Sequence, residues 1–270
     1  QIKAGPALWF STIRRGTPRP DDGLNVLLRS RVMDLSRRQF LGKAAISAGA
    51  AVMPLADVEA AVNDQPARRG GDPGKRYGMA IDLRRCIGCQ ACTVSCSIEN
   101  QPPVGQFRTI VHQYEVKDND SEDTAAVMLP RLCNQCDNPP CVPVCPVQAT
   151  WQRKDGIVVV DNEQCVGCGY CVQACPYDAR FINHDTQVAD KCNFCVHRLE
   201  AGLLPACVES CVGGARIIGD LNDPDSHINQ VLRENYDDIK VLKPELNTRP
   251  HVFYIGMTDA FIERIQGESG

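Results

Sequence analysis

The sequence predicts an α+β fold of two similar halves, each made of short hairpins and short helices. All sixteen cysteines of the 270-residue chain fall into four groups of four between Cys86 and Cys211. Two kinds of group alternate along this stretch, as expected when a two-group unit has been duplicated. Only 6% of the residues are aromatic. We therefore expect the cysteine sites, rather than a large apolar core, to organise much of the fold.

The spacing of the cysteines is typical of iron-sulfur ligands. The first and third groups share the run C-x-x-C-x-x-C-x-x-x-C, and the third continues into Pro176, as in bacterial two-cluster ferredoxins. Three cysteines of such a run wrap one cube, and the fourth ligates its neighbour. The sequence thus predicts a duplicated two-cluster ferredoxin-like fold around four 4Fe-4S clusters. The groups are Cys86, Cys89, Cys92 and Cys96; Cys133, Cys136, Cys141 and Cys145; Cys165, Cys168, Cys171 and Cys175; and Cys192, Cys195, Cys207 and Cys211.

Two other uses of paired cysteines fit the spacing less well. A structural zinc site needs four nitrogen or sulfur ligands in a tetrahedron. Zinc does not explain a third cysteine at the same short interval, nor the prolines that follow Cys145 and Cys175. Disulfides are disfavoured because C-x-x-C loops suit them poorly and the chain is long for a disulfide-stapled scaffold. A zinc-stabilised binding module stays a remote alternative.

An export signal is predicted near the N-terminus. Arg37 and Arg38 precede a small apolar stretch over residues 44–56, which is too short to span a bilayer because a span needs about 20 residues. The order of charged, apolar and small residues predicts a twin-arginine signal peptide over residues 33–60. The protein is then expected to be exported folded to the periplasm and held at the inner membrane through a partner. Residues 1–32 are expected to be upstream, non-native sequence.

The remainder of the chain is predicted to divide into three parts. Residues 61–74 form a linker, residues 75–220 a four-cluster domain with an inserted hairpin at 101–132, and residues 221–270 a C-terminal extension. Residues 61–270 hold 20 basic and 28 acidic side chains, a net charge of −8, which argues against nucleic acid as a partner. No further apolar run approaches membrane-spanning length, so no direct membrane span is expected.

Repeated segments predict where the hairpins lie. CPVQATW from Cys145 and CPYDARF from Cys175 leave their groups in the same way, and Asp155-Gly156 between β-prone runs is a strong turn signal. Two further runs, FRTIVHQYEV from Phe107 and AVMLPRL from Ala126, flank an acidic turn and predict the inserted hairpin.

The C-terminal extension is expected to contain a helix at 226–235, a strand at 252–255 and a last helix near 259–265, packed over the cluster domain or a partner. Apolar side chains within the cysteine runs are expected to shield the clusters. They are Ile87, Val94, Val166 and Val172.

Three segments carry a resemblance to a known family. RYGMAIDLRRCIGCQACTVSC, RLCNQCDNPPCVPVCPVQAT and ADKCNFCVHRLEAGLLPACVESCVGGARIIGD resemble the four-cluster iron-sulfur subunits of the molybdopterin oxidoreductase superfamily. In their amino-acid sequence, these segments are most similar to the subunits of tetrathionate reductases. The resemblance covers roughly residues 75–255 and implies a chain that is not catalytic alone. It implies an electron-transfer subunit between a quinol-oxidising membrane anchor and a molybdopterin catalytic subunit.

The resemblance also implies that the cysteine groups exchange their last members. The sequence itself supports this exchange only between the second and third groups, which one hairpin joins. The implied ligand sets are Cys86, Cys89, Cys92 and Cys211; Cys96, Cys192, Cys195 and Cys207; Cys133, Cys136, Cys141 and Cys175; and Cys145, Cys165, Cys168 and Cys171. These are called the first, second, third and fourth sets below.

No catalytic constellation is visible in the sequence. A P-loop and a G-x-G-x-x-G fingerprint are both missing from it, and the five histidines are scattered. The alternative within the same chemistry is the electron-transfer subunit of another respiratory complex, such as a polysulfide or thiosulfate reductase, a nitrite reductase or a hydrogenase. The substrate of such a complex is bound on another chain, so the fold does not distinguish them.

Overall fold

The computed structural model describes residues 67–117, 124–259, 261, 262 and 265. The predicted signal peptide, the segment before it, part of the predicted linker and the tip of the inserted hairpin lie outside these residues. The strands are β1 (Tyr77–Asp82), β2 (Thr109–Lys117), β3 (Thr124–Leu132), β4 (Thr150–Gln152), β5 (Val158–Val160), β6 (Arg180–Ile182), β7 (Ala189–Lys191), β8 (Arg216–Asp220), β9 (Ile239–Lys240) and β10 (Val252–Ile255). The α-helices are α1 (Ala91–Asn100), α2 (Tyr170–Gln173), α3 (Val196–Glu200), α4 (Ala206–Glu209) and α5 (His227–Glu234), and short 3-10 turns lie at Leu83–Arg85, Tyr236–Asp238 and Pro244–Leu246.

A four-stranded sheet in the order β8-β1-β10-β9 joins the two ends of the described chain. Strand β1 is antiparallel to β8 and parallel to β10, with Met79 opposite both Ile218 and Val252. Residues 78–82 of β1 are all buried, as expected of a central strand covered on both faces. The strand predicted at 252–255 therefore lies inside the sheet of the cluster domain instead of packing over it.

The two faces of this sheet have different coverings. On one face Ile228 of α5 packs with Ala80, Ile217 and Ile255. Met79 alternates with Ala80 along β1 and so points to the opposite face. There it joins the main core, which also contains buried cysteines of several groups, among them Cys92, Cys192 and Cys207. The sheet thus fixes one side of the cysteine sites.

The hairpins predicted from the sequence are present. Strands β2 and β3 pair from Thr109 opposite Leu132 to Lys117 opposite Thr124. The β4-β5 pair follows the second cysteine group and the β6-β7 pair follows the third. Gly156, in the turn between β4 and β5, has a φ of +87°, a left-handed conformation that glycine adopts at little cost.

The C-terminal elements also agree with the prediction. Helix α5 lies within the predicted range 226–235, and residues 259, 261, 262 and 265 are helical. Among the described residues, no helix combines the length and the apolar character that crossing a bilayer would require.

One expectation about shielding is wrong. Ile87, Val94 and Val166 lie at the surface, with 64%, 57% and 63% of their area exposed. Val172, in contrast, packs against a small core around Cys141 and Cys171. The first three residues lie within the tight cysteine runs, where three neighbouring side chains turn inward and the residues between them are left to point outward.

Candidate metal centre

The candidate site is made of the sixteen cysteines, all of them free thiols without disulfide bonds. The disulfides that the spacing disfavours are not formed among these cysteines. Nor do any three His, Cys, Asp or Glu side chains within residues 67–117 and 124–259 approach closely enough to share a single ion. The sulfurs instead gather around small cavities, at least two of which are lined by four cysteines each.

The first cavity collects cysteines from both ends of the domain. Cys86 follows the 3-10 turn after β1, and Cys92 lies in the first turn of α1. Cys211 follows α4, more than a hundred residues along the chain. The lining includes Cys86, Cys89, Cys92 and Cys211. These four residues are the first ligand set that the family resemblance implies.

The second cavity lies on the next turn of α1. Cys96 is four residues after Cys92, so its side chain lies on the same side of the helix one turn further on. Asn100 places its Nδ2 atom 3.5 Å from the Cys96 sulfur and 3.7 Å from the Cys195 sulfur. The lining includes Cys96, Cys192, Cys195 and Cys207, which are the second ligand set.

The third set is brought together beneath the hairpins. Burial raises the pKa of Cys136 to about 12; the nearby thiols of Cys133, Cys141 and Cys175 raise it as well, while a hydrogen bond from Thr248 lowers it. Cys175 belongs to the third group of the sequence, yet its own pKa is raised by burial and then by Cys133 of the second group. The structure therefore places Cys175 among the cysteines of the preceding group.

The fourth set shows the same mixture of burial as the first set. Cys165 and Cys171 pack in the small core beneath β5 and β7, and the backbone N–H of Ala189 donates to the Cys165 sulfur at 3.4 Å. Cys145 is half-buried and Cys168 is exposed.

Buried thiols in close groups fit a metal cluster better than free thiols. Burial raises the pKa of Cys96 to about 12, and the neighbouring thiols Cys207 and Cys195 add to the effect. A metal cation that binds such a sulfur displaces its proton and offsets the cost of the buried thiolate charge, because metal and proton compete for the same lone pairs. Backbone N–H groups also point at the sulfurs, as in the 3.2 Å bond from Ala215 to Cys211. Hydrogen bonds of this kind tune iron-sulfur clusters.

Glycines allow the tight loops between the ligands. Gly88 and Gly167 hold matching places in the first and third groups, with φ of +69° and +66°. A Cβ atom on Gly167 would lie 2.2 Å from the carbonyl oxygen of Gln187. Gly167 is therefore needed for two reasons: its backbone has a left-handed conformation, and a side chain there would meet the carbonyl oxygen of Gln187.

Sequence reasoning missed three basic residues of the site. Arg180, Lys191 and Arg216 are each only 3% exposed and lie among the cysteines. A signal was available for two of them, because Arg180 and Arg216 each stand five residues after the last cysteine of a group.

A larger groove lies away from the cysteines. It has a volume of about 340 Å³, and its mostly apolar lining includes Leu129, Tyr177, Leu242 and Met257. Because it contains no cysteine, we assign the metal chemistry to the smaller cavities.

Comparison with known proteins agrees with this chemistry. Two family models, each described as a 4Fe-4S dicluster domain, match residues 85–149 and 124–221. The B subunit of the tetrathionate reductase of Salmonella typhimurium is 67% identical over 238 residues, which make up 88% of this chain and 94% of that protein. The chain belongs to the family of tetrathionate reductase B subunits.

More distant relatives of this family share the same pattern. The corresponding tetrathionate reductase subunit of Archaeoglobus fulgidus is 42% identical over 185 residues, 68% of this chain and 84% of the relative. The B subunit of the polysulfide reductase of Wolinella succinogenes is 42% identical over 184 residues, 67% of this chain and 94% of the relative. Membership of the family confirms the resemblance seen in the sequence: the chain is an iron-sulfur electron-transfer subunit with an α+β fold.

Proposed function

We propose that the chain relays electrons through four 4Fe-4S sites, from a quinol-oxidising membrane anchor to the molybdopterin catalytic subunit of a tetrathionate reductase. When bound, a 4Fe-4S cluster takes up and gives back one electron at a time. The residues of this chain then have three tasks: to hold the clusters by sixteen thiolates, to exclude water from the inner sites, and to present the outer sites to partners. The chain itself needs no acid, base or nucleophile.

The observation that carries this proposal is the difference between the outer and inner ligand sets. Among the cysteines, the exposed ones are Cys89 of the first set and Cys168 of the fourth. All four cysteines of the second set are buried, and in the third set only Cys175 is half-buried. A relay needs two ends that are open to partners and inner sites that are closed, and this gradient of burial supports that arrangement.

Exposed apolar side chains lie beside both outer sets. Ile87 and Val212 are 64% and 73% exposed next to cysteines of the first set. Val166 and Tyr170 are 63% and 57% exposed within the third run, next to cysteines of the fourth set. Grouped exposed apolar residues are typical of surfaces that a partner covers. They support one partner surface at each end of the relay.

The choice of complex follows from the relatives. Subunits of tetrathionate and polysulfide reductases are both similar to this chain, and the higher identity favours tetrathionate reductase. In the family that this sequence resembles, the fourth set lies towards the membrane anchor and the first set lies towards the catalytic subunit. We propose the same direction here.

Replacing one ligand at the proposed entry site tests the direction. In the assembled complex, Cys168→Ser should abolish quinol-driven turnover, while a soluble reduced dye that feeds the catalytic subunit directly still supports it. The reason is that a linear relay is interrupted only upstream of the point where the dye enters. Assembly of the variant is checked first by size and subunit content, because cluster loss can unfold the surrounding loops.

Cys89→Ser at the other end is the matched variant. Cluster reduction is followed by electron paramagnetic resonance while the catalytic subunit is not turning over. Quinol should still reduce the remaining clusters of Cys89→Ser. It should reduce no cluster in Cys168→Ser. An assembled Cys168→Ser complex that keeps its full quinol-driven rate, or in which quinol reduces the other clusters, would contradict the proposed direction.

A further inference from the structure

Three basic side chains are buried among the cysteines without a carboxylate partner. Arg216, Lys191 and Arg180 are each 3% exposed. The carboxylate ion pairs found within 4.0 Å in the described part of the chain involve other basic residues. Burying a charge without a counter-charge is strongly unfavourable. The anions that offset these charges are therefore to be sought among the thiolates.

Arg216 lies between the first and second ligand sets. It lines the first cavity together with Cys86, Cys89, Cys92 and Cys211. The thiols that interact most strongly with its charge are Cys207 of the second set and Cys92 of the first. Its Nη2 atom donates to the Thr109 hydroxyl at 2.8 Å, and its Nη1 atom has no hydrogen bond of ordinary geometry.

Arg180 holds the corresponding place between the third and fourth sets. Its strongest electrostatic partners are Cys141 and Cys133 of the third set and Cys171 of the fourth. Its Nη1 atom donates to the Thr150 hydroxyl at 3.2 Å. Its Nε and Nη2 atoms are buried without a hydrogen bond of ordinary geometry.

Lys191 lies between the second and third sets. Its Nζ atom donates to the carbonyl oxygens of Val158 and of Cys192, the latter at 2.9 Å. Burial lowers the pKa of Lys191 and Arg180 lowers it further, while Cys133 and Cys141 of the third set and Cys192 of the second set act in the opposite direction. Lys191 is also directly opposite Arg180 in the β6-β7 register. Like charges directly opposite each other are destabilising, unless anions flank both.

The two arginines occupy similar positions, although the internal repeat pairs the first group with the third and the second with the fourth, and so does not relate them to each other. Arg180 stands five residues after Cys175 and begins β6, and Arg216 stands five residues after Cys211 and begins β8. Each arginine hydrogen-bonds a buried threonine, Thr150 for Arg180 and Thr109 for Arg216. Lys191 precedes Cys192 as Leu132 precedes Cys133. The second group therefore has no counterpart of this lysine.

We propose that Arg216, Lys191 and Arg180 occupy the three junctions between consecutive cluster sites and raise the reduction potentials of the two sites that each adjoins. The inference rests on the proposed four-site relay and adds its spatial order, first-second-third-fourth. A nearby positive charge favours the reduced, more negative form of a cluster, and charge and hydrogen bonds near the sulfurs set cluster potentials. The same charges lower the repulsion between neighbouring reduced sites.

Potentiometry on the assembled holoprotein, followed by electron paramagnetic resonance, tests the assignment. Arg180→Gln should lower the midpoint potentials of the third and fourth sites and leave the first and second in place. A tenfold change in the reduction equilibrium corresponds to about 59 mV for one electron. Arg216→Gln should instead lower the midpoint potentials of the first and second sites. Lys191→Gln should lower those of the second and third sites. The signals are assigned by comparison with the variants Cys175→Ser and Cys89→Ser.

Charge and packing are separated by conservative variants. Arg180→Lys and Arg216→Lys keep the charge and should keep the potentials. Arg153→Gln is the matched control, since Arg153 is a partly buried arginine neutralised by Asp155 and Glu200. This control variant should leave the midpoint potential of every site unchanged. Potentials that shift equally at all sites, do not shift, or shift equally in the Lys and Gln variants would overturn the proposal.

Cluster loss is equally informative. If a Gln variant loses its iron while the Lys variant retains it, loss confined to the two adjoining sites supports the junction assignment. Loss from all four sites, or from the Lys variant as well, overturns it. Failure of the four-site relay itself would show differently, as too few cluster signals in the unsubstituted protein.

Discussion

Cys175 belongs to one cysteine group in the sequence and lies beside another group in the structure. In the sequence it closes the third run, four residues after Cys171. In the structure its pKa is raised by burial and by Cys133, and N–H groups of Ala179 and Tyr177 donate to it. This proximity supports our proposal that the run delivers three cysteines to one site and the fourth to its neighbour.

A single substitution tests this exchange. Cys175→Ser should damage the cluster held by the third set, Cys133, Cys136 and Cys141, and leave the fourth set's cluster intact. Spectra of the variant are compared with those of Cys165→Ser, which should show the opposite pattern. Spectroscopic loss confined to the fourth site in Cys175→Ser would refute the exchanged ligands.

At the scale of elements, local patterns predicted the hairpins but not the central sheet. The turn at Asp155-Gly156 and the alternating runs of β2 and β3 are local signals, and both hairpins are present. The pairing of β1 with β8 and β10 joins segments more than a hundred residues apart. Nothing in the local sequence specifies such a pairing, because it depends on which buried strands meet in the folded chain.

The cysteine loops are the elements whose conformation the sequence restricts most. Gly167→Ala should deplete the cluster of the fourth set, since the added methyl group would meet the carbonyl oxygen of Gln187 at 2.2 Å. Gly202→Ala is the matched control, because Gly202 has a similar φ of +75° and open space around it.

The control should cost only the left-handed backbone strain, about 1 to 2 kcal/mol, and should retain its iron. Iron content per chain and the spectrum of the fourth site are measured in both variants. Equal iron in Gly167→Ala and Gly202→Ala would show that the close approach has no role in cluster binding.

At the scale of the whole molecule, the sequence located the sixteen candidate ligands but only part of their grouping. All sixteen cysteines could be named from spacing. The meeting of Cys211 with Cys86 needed the sheet that brings α4 beside α1, and the sequence alone left it to family resemblance. The buried charges Arg180, Lys191 and Arg216 escaped prediction because a basic residue is normally exposed, and only the folded chain shows that these three are not.

Export concerns the whole molecule as well, and it depends on residues outside the described ranges. We propose that Arg37 and Arg38 direct the folded holoprotein to the periplasm. Replacing both by Lys should leave the clusters intact and retain the protein in the cytoplasm, because the signal is read by a receptor and takes no part in the fold. Cell fractionation with cluster spectroscopy is the measurement, and normal periplasmic levels of the variant would show that the signal is wrongly assigned.

The central claim is that the sixteen cysteines hold four 4Fe-4S clusters, and metal analysis of the anaerobically purified chain tests it most directly. At four iron and four sulfide per cube, we expect about 16 iron atoms and about 16 acid-labile sulfides per chain, with a brown colour and no stoichiometric zinc. A colourless protein that contains zinc, or iron and sulfide near half of these values, would contradict the account.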